Sequence, residues 1–244
     1  MKSLSLNIDL IGDTLSNCQE VCAGVKLNRN DGIIPRGLIF ESENRNNIKK
    51  VVIVCGLNPG IASKDEMEYL KYNLFFKGFK DYWRENLSGK GGQTSCQYYT
   101  RMRNFIDSIK SLKGSLILWT DVAKCQKEKE KKKFSFYQYP ETCSKCASFY
   151  LKKEVEAICQ EKVFIALGRE VYQMLCLLYP TDKIIGIYHP TGSRGLDSFI
   201  KYFEDSEDRV HKRSLKKAIQ QDLPKFLKSQ SCNHKFFSVR MSDV

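Results

Sequence analysis

The stretch VVIVCGLNPG at residues 51–60 decides the fold, and a second stretch, IIGIYHPTGSRG at residues 184–195, follows the same plan. In each, a continuous apolar run ends abruptly in a short loop. Such runs predict strands buried on both faces, as in a parallel sheet. Each loop carries one polar side chain beside a proline, Asn58 in the first and His189 in the second. Because ligands bind at the carboxyl ends of strands in open α/β sheets, we expect both side chains to reach one site.

Short apolar runs alternate with helical patterns along the rest of the chain. The four predicted strands cover residues 49–55, 115–121, 162–168 and 183–188. Helical spacing between them predicts the crossover connections that parallel strands need. The predicted fold is therefore a three-layer α/β/α sandwich with a central, mainly parallel four-stranded sheet. No linker divides the chain, so we expect one domain over residues 1–244, with residues 1–35 and 231–244 peripheral.

The charge balance favours a polyanionic partner. Forty Lys and Arg residues against 28 Asp and Glu residues give a formal net charge of +12. Contacts with phosphates release counterions and favour nucleic-acid binding, although a lysine-rich solubilising surface explains the same composition. Between Arg209 and Lys217, basic residues recur at helical spacing and predict one cationic helix face.

Neither export nor a membrane span is indicated. The first ten residues, MKSLSLNIDL, lack the apolar run of a signal peptide. No stretch approaches the ~20 apolar residues that a spanning helix needs. We therefore expect an intracellular, cytoplasmic protein.

The chain contains ten cysteines. Without an export signal, these predict reduced thiols, metal ligands or core residues rather than disulfides. Several lie within apolar runs and are expected in the core. Those in polar surroundings are the candidate metal ligands: Cys18, Cys22, Cys125, Cys143 and Cys146.

An amide and an imidazole at neighbouring strand ends form the outline of a hydrolase site. Asn58 can position a water, and His189 can stabilise a leaving anion. Gly56 and Gly60 permit close approach of the backbone. Each feature also has a structural explanation, because the glycines fit a tight turn, Asp121 fits a cap, and a single histidine fits a hydrogen-bonding role.

Three loop motifs, taken in order, resemble those of the uracil-DNA glycosylase superfamily. They are GLNPG (56–60), TDVAKC (120–125) and HPTGSRG (189–195). The helix–strand unit at 143–168 makes the chain most similar to the thermophile-type, iron–sulfur branch, with an AsnPro first motif. The resemblance runs from about Val51 to Arg194. Enzymes of this superfamily flip a damaged base out of DNA and hydrolyse its N-glycosidic bond.

The resemblance implies a role for each loop. Asn58 would position the attacking water, and His189 would hydrogen-bond the carbonyl oxygen of the departing base. An aromatic residue after the first motif would stack on the base, with Phe75 preferred over Tyr72 and Phe76. The implied base-binding residues are Gly56, Asp121, Phe75 and Tyr72. The loop that would enter the minor groove comprises Pro190, Thr191, Gly192, Ser193 and Arg194.

Asp121 departs from the pattern of the iron–sulfur branch. That branch usually has Asn there, and its amide recognises the pyrimidine edge. An ionised Asp can only accept hydrogen bonds. Asp121 is therefore protonated in a dry pocket, or matched to a base other than uracil, or replaced in this role by another residue.

The cysteines also depart from that pattern. The resemblance implies a 4Fe–4S cluster held by four thiolates. The implied ligands are Cys18, Cys22, Cys125 and Cys143, with Cys146 as the alternative to Cys143. The spacing of the first pair and the long lysine-rich insertion after Cys125 differ from the branch. Zinc and no metal at all are the alternatives.

The leading functional hypothesis is a monofunctional DNA N-glycosylase of base excision repair. It would act on uracil or another deaminated base and leave an abasic site, since no lysine is positioned as a Schiff-base nucleophile. The alternative is a catalytically silent nucleic-acid-binding protein on the same fold. The first loop lacks phosphate-binding glycine motifs, so no nucleotide cofactor is expected. DNA is the expected partner, no membrane is expected, and a monomer is the default.

Overall fold

The sheet is mostly parallel and has more strands than the sequence predicts. The computed structural model describes residues 3–37, 39–41, 50–88, 97–130, 133–189 and 221–237. Within these segments the strands are β1 (Ile39–Phe40), β2 (Lys50–Gly56), β3 (Leu116–Asp121), β4 (Glu161–Leu167), β5 (Lys183–Ile187) and β6 (His234–Phe236). Their order is β1-β3-β2-β4-β5-β6. Every neighbouring pair is parallel except β1 and β3.

The four predicted strands are confirmed as β2 to β5, and the predicted strand count is wrong. One short strand adds to each edge of the sheet, which gives a six-stranded sheet over the described residues. Strands β1 and β6 contain only two and three residues. Segments this short leave no alternation of apolar and polar residues from which a strand can be predicted.

Helices occupy most of the connections between strands. In the described segments they are α1 (Ser3–Ser16), α2 (Lys64–Tyr72), α3 (Phe76–Tyr82), α4 (Gln97–Ser108), α5 (Pro140–Cys146), α6 (Lys152–Glu156), α7 (Arg169–Leu178) and α8 (Leu223–Lys228). A π-helical turn, Ala147–Leu151, joins α5 to α6, so the helix continues from one to the other. Helix α2 begins at a capped end, where the Ser63 hydroxyl accepts a hydrogen bond from the Glu66 N–H at 3.1 Å.

Both faces of the sheet are buried. Val52 and Val54 of β2 belong to one hydrophobic core, which also takes apolar residues from α2, α3, α4 and α8. Val51, Ile53 and Cys55 belong to a second core with residues of α5, α6 and α7. Successive side chains of a strand point to opposite faces, so the continuous apolar run in β2 supplies both cores.

The carboxyl ends of β2 and β3 are held together by the backbone. The parallel register pairs Gly56 directly with Asp121. Beyond the strands, the Val122 N–H donates to the Gly56 carbonyl at 2.9 Å, and the Ala123 N–H donates to the Leu57 carbonyl at 2.8 Å. The loops that follow the two strands therefore begin at the same place on the sheet.

The two terminal segments predicted to be peripheral contact the body of the protein. Leu15 of α1 is buried. In the carboxyl-terminal segment, β6 pairs with β5, and Phe237 is buried beside it. No helix in the described part of the chain is long and apolar enough to cross a membrane.

Candidate functional site

A cavity of about 370 Å³ lies at the carboxyl ends of β2, β3 and β5. Asn58 follows β2, Asp121 ends β3, and His189 follows β5, and all three line the cavity. The three strand-end side chains singled out by the sequence therefore meet at one site. We call it the strand-end cavity; its remaining polar and aromatic lining includes Arg36, Thr120, Lys127, Phe79, Tyr98, Tyr99 and Trp119.

Asn58 lies on a loop that bends immediately after β2. Its side-chain amide donates to the carbonyl of Pro59 at 3.1 Å, which fixes the orientation of the amide group. Within the described residues, no protein group donates to its side-chain oxygen. That oxygen is therefore available to accept a hydrogen bond from a water in the cavity.

His189 packs face to face with an aromatic ring. The ring centroids of His189 and Tyr98 are 6.2 Å apart, with 14° between the ring planes. Burial lowers the pKa of His189 below its ordinary value of 6.5. The imidazole is therefore neutral at neutral pH. A neutral imidazole donates a single N–H, which suits a hydrogen bond to a carbonyl oxygen that gains negative charge.

Asp121 occupies space that only a glycine opposite leaves open. A Cβ atom on Gly56 would clash with Asp121 Oδ1. Burial raises the pKa of Asp121 from 3.8 to about 6, against the opposing effects of the cations Lys124 and Arg36. Both the protonated and the ionised carboxyl are therefore populated near pH 6, where an ordinary aspartate is ionised.

Arg36 lines the cavity and contacts the GLNPG loop at residues 56–60. Its guanidinium pairs with the buried carboxylate of Glu66 and donates to the Gly60 carbonyl at 3.1 Å. The guanidinium carbon also lies 5.5 Å from the ring centroid of Phe79. No sequence signal marks Arg36 as a site residue, because it lies before the first long strand and belongs to no strand-end motif.

The predicted stacking residues do not line the strand-end cavity. Phe75 precedes α3 and is 65% exposed, and Tyr72 is 81% exposed at the end of α2. Their neighbour Phe76 is buried in the core. The chain between α2 and α3 turns Phe76 inward, and this leaves the two preferred aromatic residues outside.

A different aromatic group forms the cavity wall. Trp119 of β3 and Tyr99 of α4 pack edge to face with ring centroids 4.8 Å apart. The ring centroid of Tyr98 lies 4.8 Å from that of Tyr99, and Tyr98 also stacks with His189. Side chains two residues apart in a strand point to the same face, so Trp119 lies on the same face of β3 as Asp121. Its place in the cavity wall could therefore be predicted from the sequence. No comparable signal marks the two tyrosines, since they lie on a helix distant in sequence from the motifs.

The remaining predicted DNA contacts lie outside the described residues. These are Pro190, Thr191, Gly192, Ser193 and Arg194, together with the basic segment from Arg209 to Lys217.

A second cavity, of about 160 Å³, is lined in part by Ala123, Lys124 and Cys125 of the segment that follows β3. Four cysteines line it: Cys18, Cys22, Cys125 and Cys146. We call it the cysteine cavity. Cys143, the preferred fourth ligand, does not line this cavity. It lies on α5, and its side chain is fully buried in the hydrophobic core between that helix and the sheet. Cys146, the alternative, lies three residues further along the same helix and lines the cavity.

The four cysteines are close enough for the charge on one thiolate to affect the pKa of another. Burial raises the pKa of Cys125, and the nearby thiols of Cys146, Cys18 and Cys22 raise it further. Across the described residues, no group of three or more His, Cys, Asp or Glu side chains is arranged to hold a metal ion. The four cysteines thus line one cavity without forming a coordination sphere.

A buried ion pair separates the two cavities. Lys124 Nζ lies 2.6 Å from Glu154 Oε2 and 2.6 Å from Thr120 Oγ1, and the threonine hydroxyl donates to the same carboxylate at 2.8 Å. Both charged side chains are almost completely buried. Because Thr120 lines one cavity and Lys124 lines the other, this triad fixes their shared wall.

No protein-family model matches the chain, and the search of curated proteins returns no match either. The functional assignment therefore depends on the geometry and chemistry of the two cavities.

Proposed function

We propose that this protein is a monofunctional DNA N-glycosylase that removes uracil or another deaminated base and leaves an abasic site. The observation that carries the proposal is the meeting of Asn58, Asp121 and His189, from three different strand ends, in one cavity. We further infer that the sheet and its helices form the three-layer α/β/α core that the resemblance implies.

The polar groups of the cavity suit hydrolysis of a bond to a nitrogen heterocycle. The side-chain oxygen of Asn58 accepts a hydrogen bond from a water and directs it at the sugar carbon. Neutral His189 donates to a carbonyl oxygen of the base, which becomes negative as the bond breaks. Because both groups are held by rigid strand ends, little reorganisation is needed during the reaction.

The size and walls of the cavity suit a flipped nucleotide. Ligand sites start at about 300 Å³, and this cavity measures about 370 Å³. The aromatic wall of Tyr98, Tyr99 and Trp119 offers planar surfaces against which an extruded base can pack. We infer that these residues, rather than Phe75 or Tyr72, contact the base.

DNA is the proposed partner. A formal net charge of +12 favours contacts with phosphates and predicts binding that weakens as salt rises. The proposal needs no nucleotide cofactor, since a water and a flipped nucleotide are the two reactants.

We also propose that the cysteine cavity holds a metal centre. Four thiolates are the donor set of an iron–sulfur cluster, and zinc takes the same donors. The four thiols line one cavity, but in the described residues they are not gathered into a coordination sphere, so binding would require them to move together. Cys18 and Cys22 lie just after α1, whereas Cys125 and Cys146 belong to the segment after β3 and to α5. The bound group would act structurally, by joining these three elements behind the strand-end cavity.

The test of the catalytic proposal is alkali-revealed cleavage of labelled oligonucleotides. Single- and double-stranded substrates carry uracil, hypoxanthine or xanthine, and the wild type is compared with Asn58→Ala and His189→Ala. Removing a group that stabilises the transition state typically costs about 10²- to 10³-fold in rate, and we expect losses of this size. His234→Ala is the matched control, because this histidine lies on edge strand β6 and does not line the cavity.

Two outcomes contradict the catalytic proposal. Salt-sensitive binding without excision of any base would identify a catalytically silent DNA-binding protein. Strand cleavage without alkali would show a bifunctional mechanism with an amine nucleophile.

The metal proposal has its own test. The protein is purified without oxygen, and its visible absorbance and its iron, sulfide and zinc contents are measured. We expect Cys146→Ser to lose metal and Cys143→Ser to keep it, because only the first of these thiols lines the cavity. A colourless, metal-free wild type would reject the metal centre and leave the catalytic proposal unaffected.

A further inference from the structure

The Asp121 carboxyl has no hydrogen-bond or ion-pair partner within the described residues, although it lines the strand-end cavity. Its polar neighbours are engaged elsewhere. The Arg36 guanidinium binds Glu66 and the Gly60 carbonyl. The Thr120 hydroxyl is engaged with Lys124 and Glu154. The protein therefore holds a carboxyl group at the end of a rigid strand with its hydrogen-bonding capacity unused.

The two protonation states of a carboxyl group recognise different edges of a base. A carboxylate only accepts, so it matches two adjacent N–H donors, as on the edge of guanine. A carboxylic acid donates once and accepts once. It therefore matches an N–H beside a carbonyl, as on the edges of uracil and hypoxanthine. A carboxylate facing that second kind of edge would bring one of its oxygens against the carbonyl oxygen.

We propose that Asp121 selects the base in the strand-end cavity, and that the presence or absence of its proton decides which kind of edge is accepted. The protonated form accepts an edge with one N–H and one carbonyl, and the ionised form accepts an edge with two adjacent N–H groups. This inference rests on the proposed glycosylase function and specifies its substrate class.

The surroundings of the carboxyl favour a change of protonation near neutral pH. Desolvation raises the pKa of Asp121 to about 6, so both forms are populated within the range in which enzymes are assayed. The carboxyl lies against Gly56 of β2, which contributes no charge and no hydrogen bond to it. In the described part of the chain, the charged or titratable groups that face Asp121 or share its cavity are Lys124, Arg36, Glu154, Cys55, Lys127, His189, Tyr98 and Tyr99.

His189 has to be separated from Asp121 in any pH profile. Its pKa lies below 6.5, so its protonation affects the acid side of the profile for every substrate. Loss of the Asp121 proton instead affects the two kinds of substrate differently. It removes the match to uracil, whereas 8-oxoguanine still offers two adjacent N–H groups to the carboxylate. A change in relative rate between two substrates therefore reports on Asp121, because the effect of His189 is common to both and cancels in the ratio.

The experiment measures single-turnover excision from duplexes carrying uracil, hypoxanthine or 8-oxoguanine between pH 5 and pH 8.5. The wild type is compared with Asp121→Asn, which fixes one donor and one acceptor at all pH values. For the wild type, we expect the uracil and hypoxanthine rates to fall about tenfold per pH unit above the pKa of Asp121. We expect the ratio of the 8-oxoguanine rate to the uracil rate to rise over the same range.

Asp121→Asn should remove this dependence and raise the uracil rate at pH 8 at least tenfold above the wild type. Asp65→Asn is the control, since Asp65 is exposed in the first turn of α2. Thermal unfolding of each variant verifies that it is folded, and Asp121→Ala provides a second variant without any hydrogen-bonding group.

The outcomes distinguish this inference from the function on which it rests. If excision occurs and the wild type and Asp121→Asn share the same pH profile and substrate ratios, Asp121 does not select the base, while the glycosylase assignment stands. If the wild type excises no base at any pH, the glycosylase assignment fails and this inference fails with it.

Discussion

Two carboxylates near Lys124 differ in their surroundings and, we infer, in their use. Glu154 is buried, bonded to Lys124 Nζ and to the hydroxyl of Thr120, so its charge is fully compensated. Asp121 is three residues from the same lysine, but its carboxyl faces a cavity and has no partner in the described part of the chain. Burial raises the pKa of Asp121 to about 6. A compensated carboxylate holds the wall between the two cavities, whereas an uncompensated one at the same wall is available to a ligand.

The largest expected effect comes from breaking the compensated pair. Lys124→Met leaves the Glu154 carboxylate buried without its cation, and such a loss typically costs about 3–5 kcal/mol in the free energy of unfolding. The measurement is urea unfolding at neutral pH. Lys152→Met is the matched control, because Lys152 pairs with Glu156 at 3.8 Å with both side chains 60% exposed. Exposed pairs contribute about 0–1 kcal/mol.

A double variant sharpens this result. Replacing both members of a buried pair by apolar side chains of similar size is often neutral. We expect Lys124→Met combined with Glu154→Met to recover most of the stability that the single substitution loses. If the double variant is as unstable as the single one, the ion pair is not the reason for the loss.

Gly56 tests the position of the uncompensated carboxylate. An alanine there would place its Cβ against Asp121 Oδ1 and force the carboxyl to move. Overpacking typically costs about 1–3 kcal/mol. Because the clashing atom is the end of a side chain that faces the cavity and can rotate, we expect a loss at the lower end, about 1 kcal/mol, in urea unfolding. Gly60→Ala is the control, because a Cβ at that position meets no atom within 4 Å.

A double-mutant cycle identifies the cause of that loss. In an Asp121→Ala background, Gly56→Ala should cost almost nothing, because the clashing carboxyl is gone. An undiminished cost would mean that backbone conformation, rather than the Asp121 side chain, requires glycine at position 56.

The sequence predicts the polar half of the candidate site better than the aromatic half. Asn58, Asp121 and His189 follow apolar runs, and parallel strands bring such positions to one edge of a sheet. Tyr98 and Tyr99 reach the cavity from α4, whose position depends on packing of the whole helix against the sheet. Phe75 has the expected distance along the chain from the first motif, but the turn before α3 buries its neighbour instead. Local pattern determines where a strand ends, but it does not determine which side chain of a distant helix points back at that end.

The cysteines of α5 also show that local sequence does not determine which side chain of a helix points into a site. Cys143 and Cys146 both lie on α5, and sequence spacing from the other thiols does not distinguish them. Three residues correspond to about 300° around an α-helix, so the two side chains point about 60° apart. That angle is enough to direct Cys143 into the core and Cys146 into the cysteine cavity.

A predicted effect of similar size concerns the stability cost of the Asp121 charge and its dependence on pH. The pKa of this carboxyl is 3.8 ordinarily and about 6 in the folded protein. Between these values the folded state binds more protons than the unfolded state, so stability falls as pH rises through this window and the full cost applies above pH 6. Asp121→Asn removes the charge, and it should therefore stabilise the protein at pH 8 and have almost no effect at pH 4. Because the residue is only half-buried, solvent screening reduces the expected gain to about 1 kcal/mol.

Urea unfolding at the two pH values measures this difference, with Asp65→Asn as the exposed control. An equal gain at both pH values would show that the amide stabilises the fold by a contact unrelated to charge, and Asp121 would then resemble Glu154 in having a structural role.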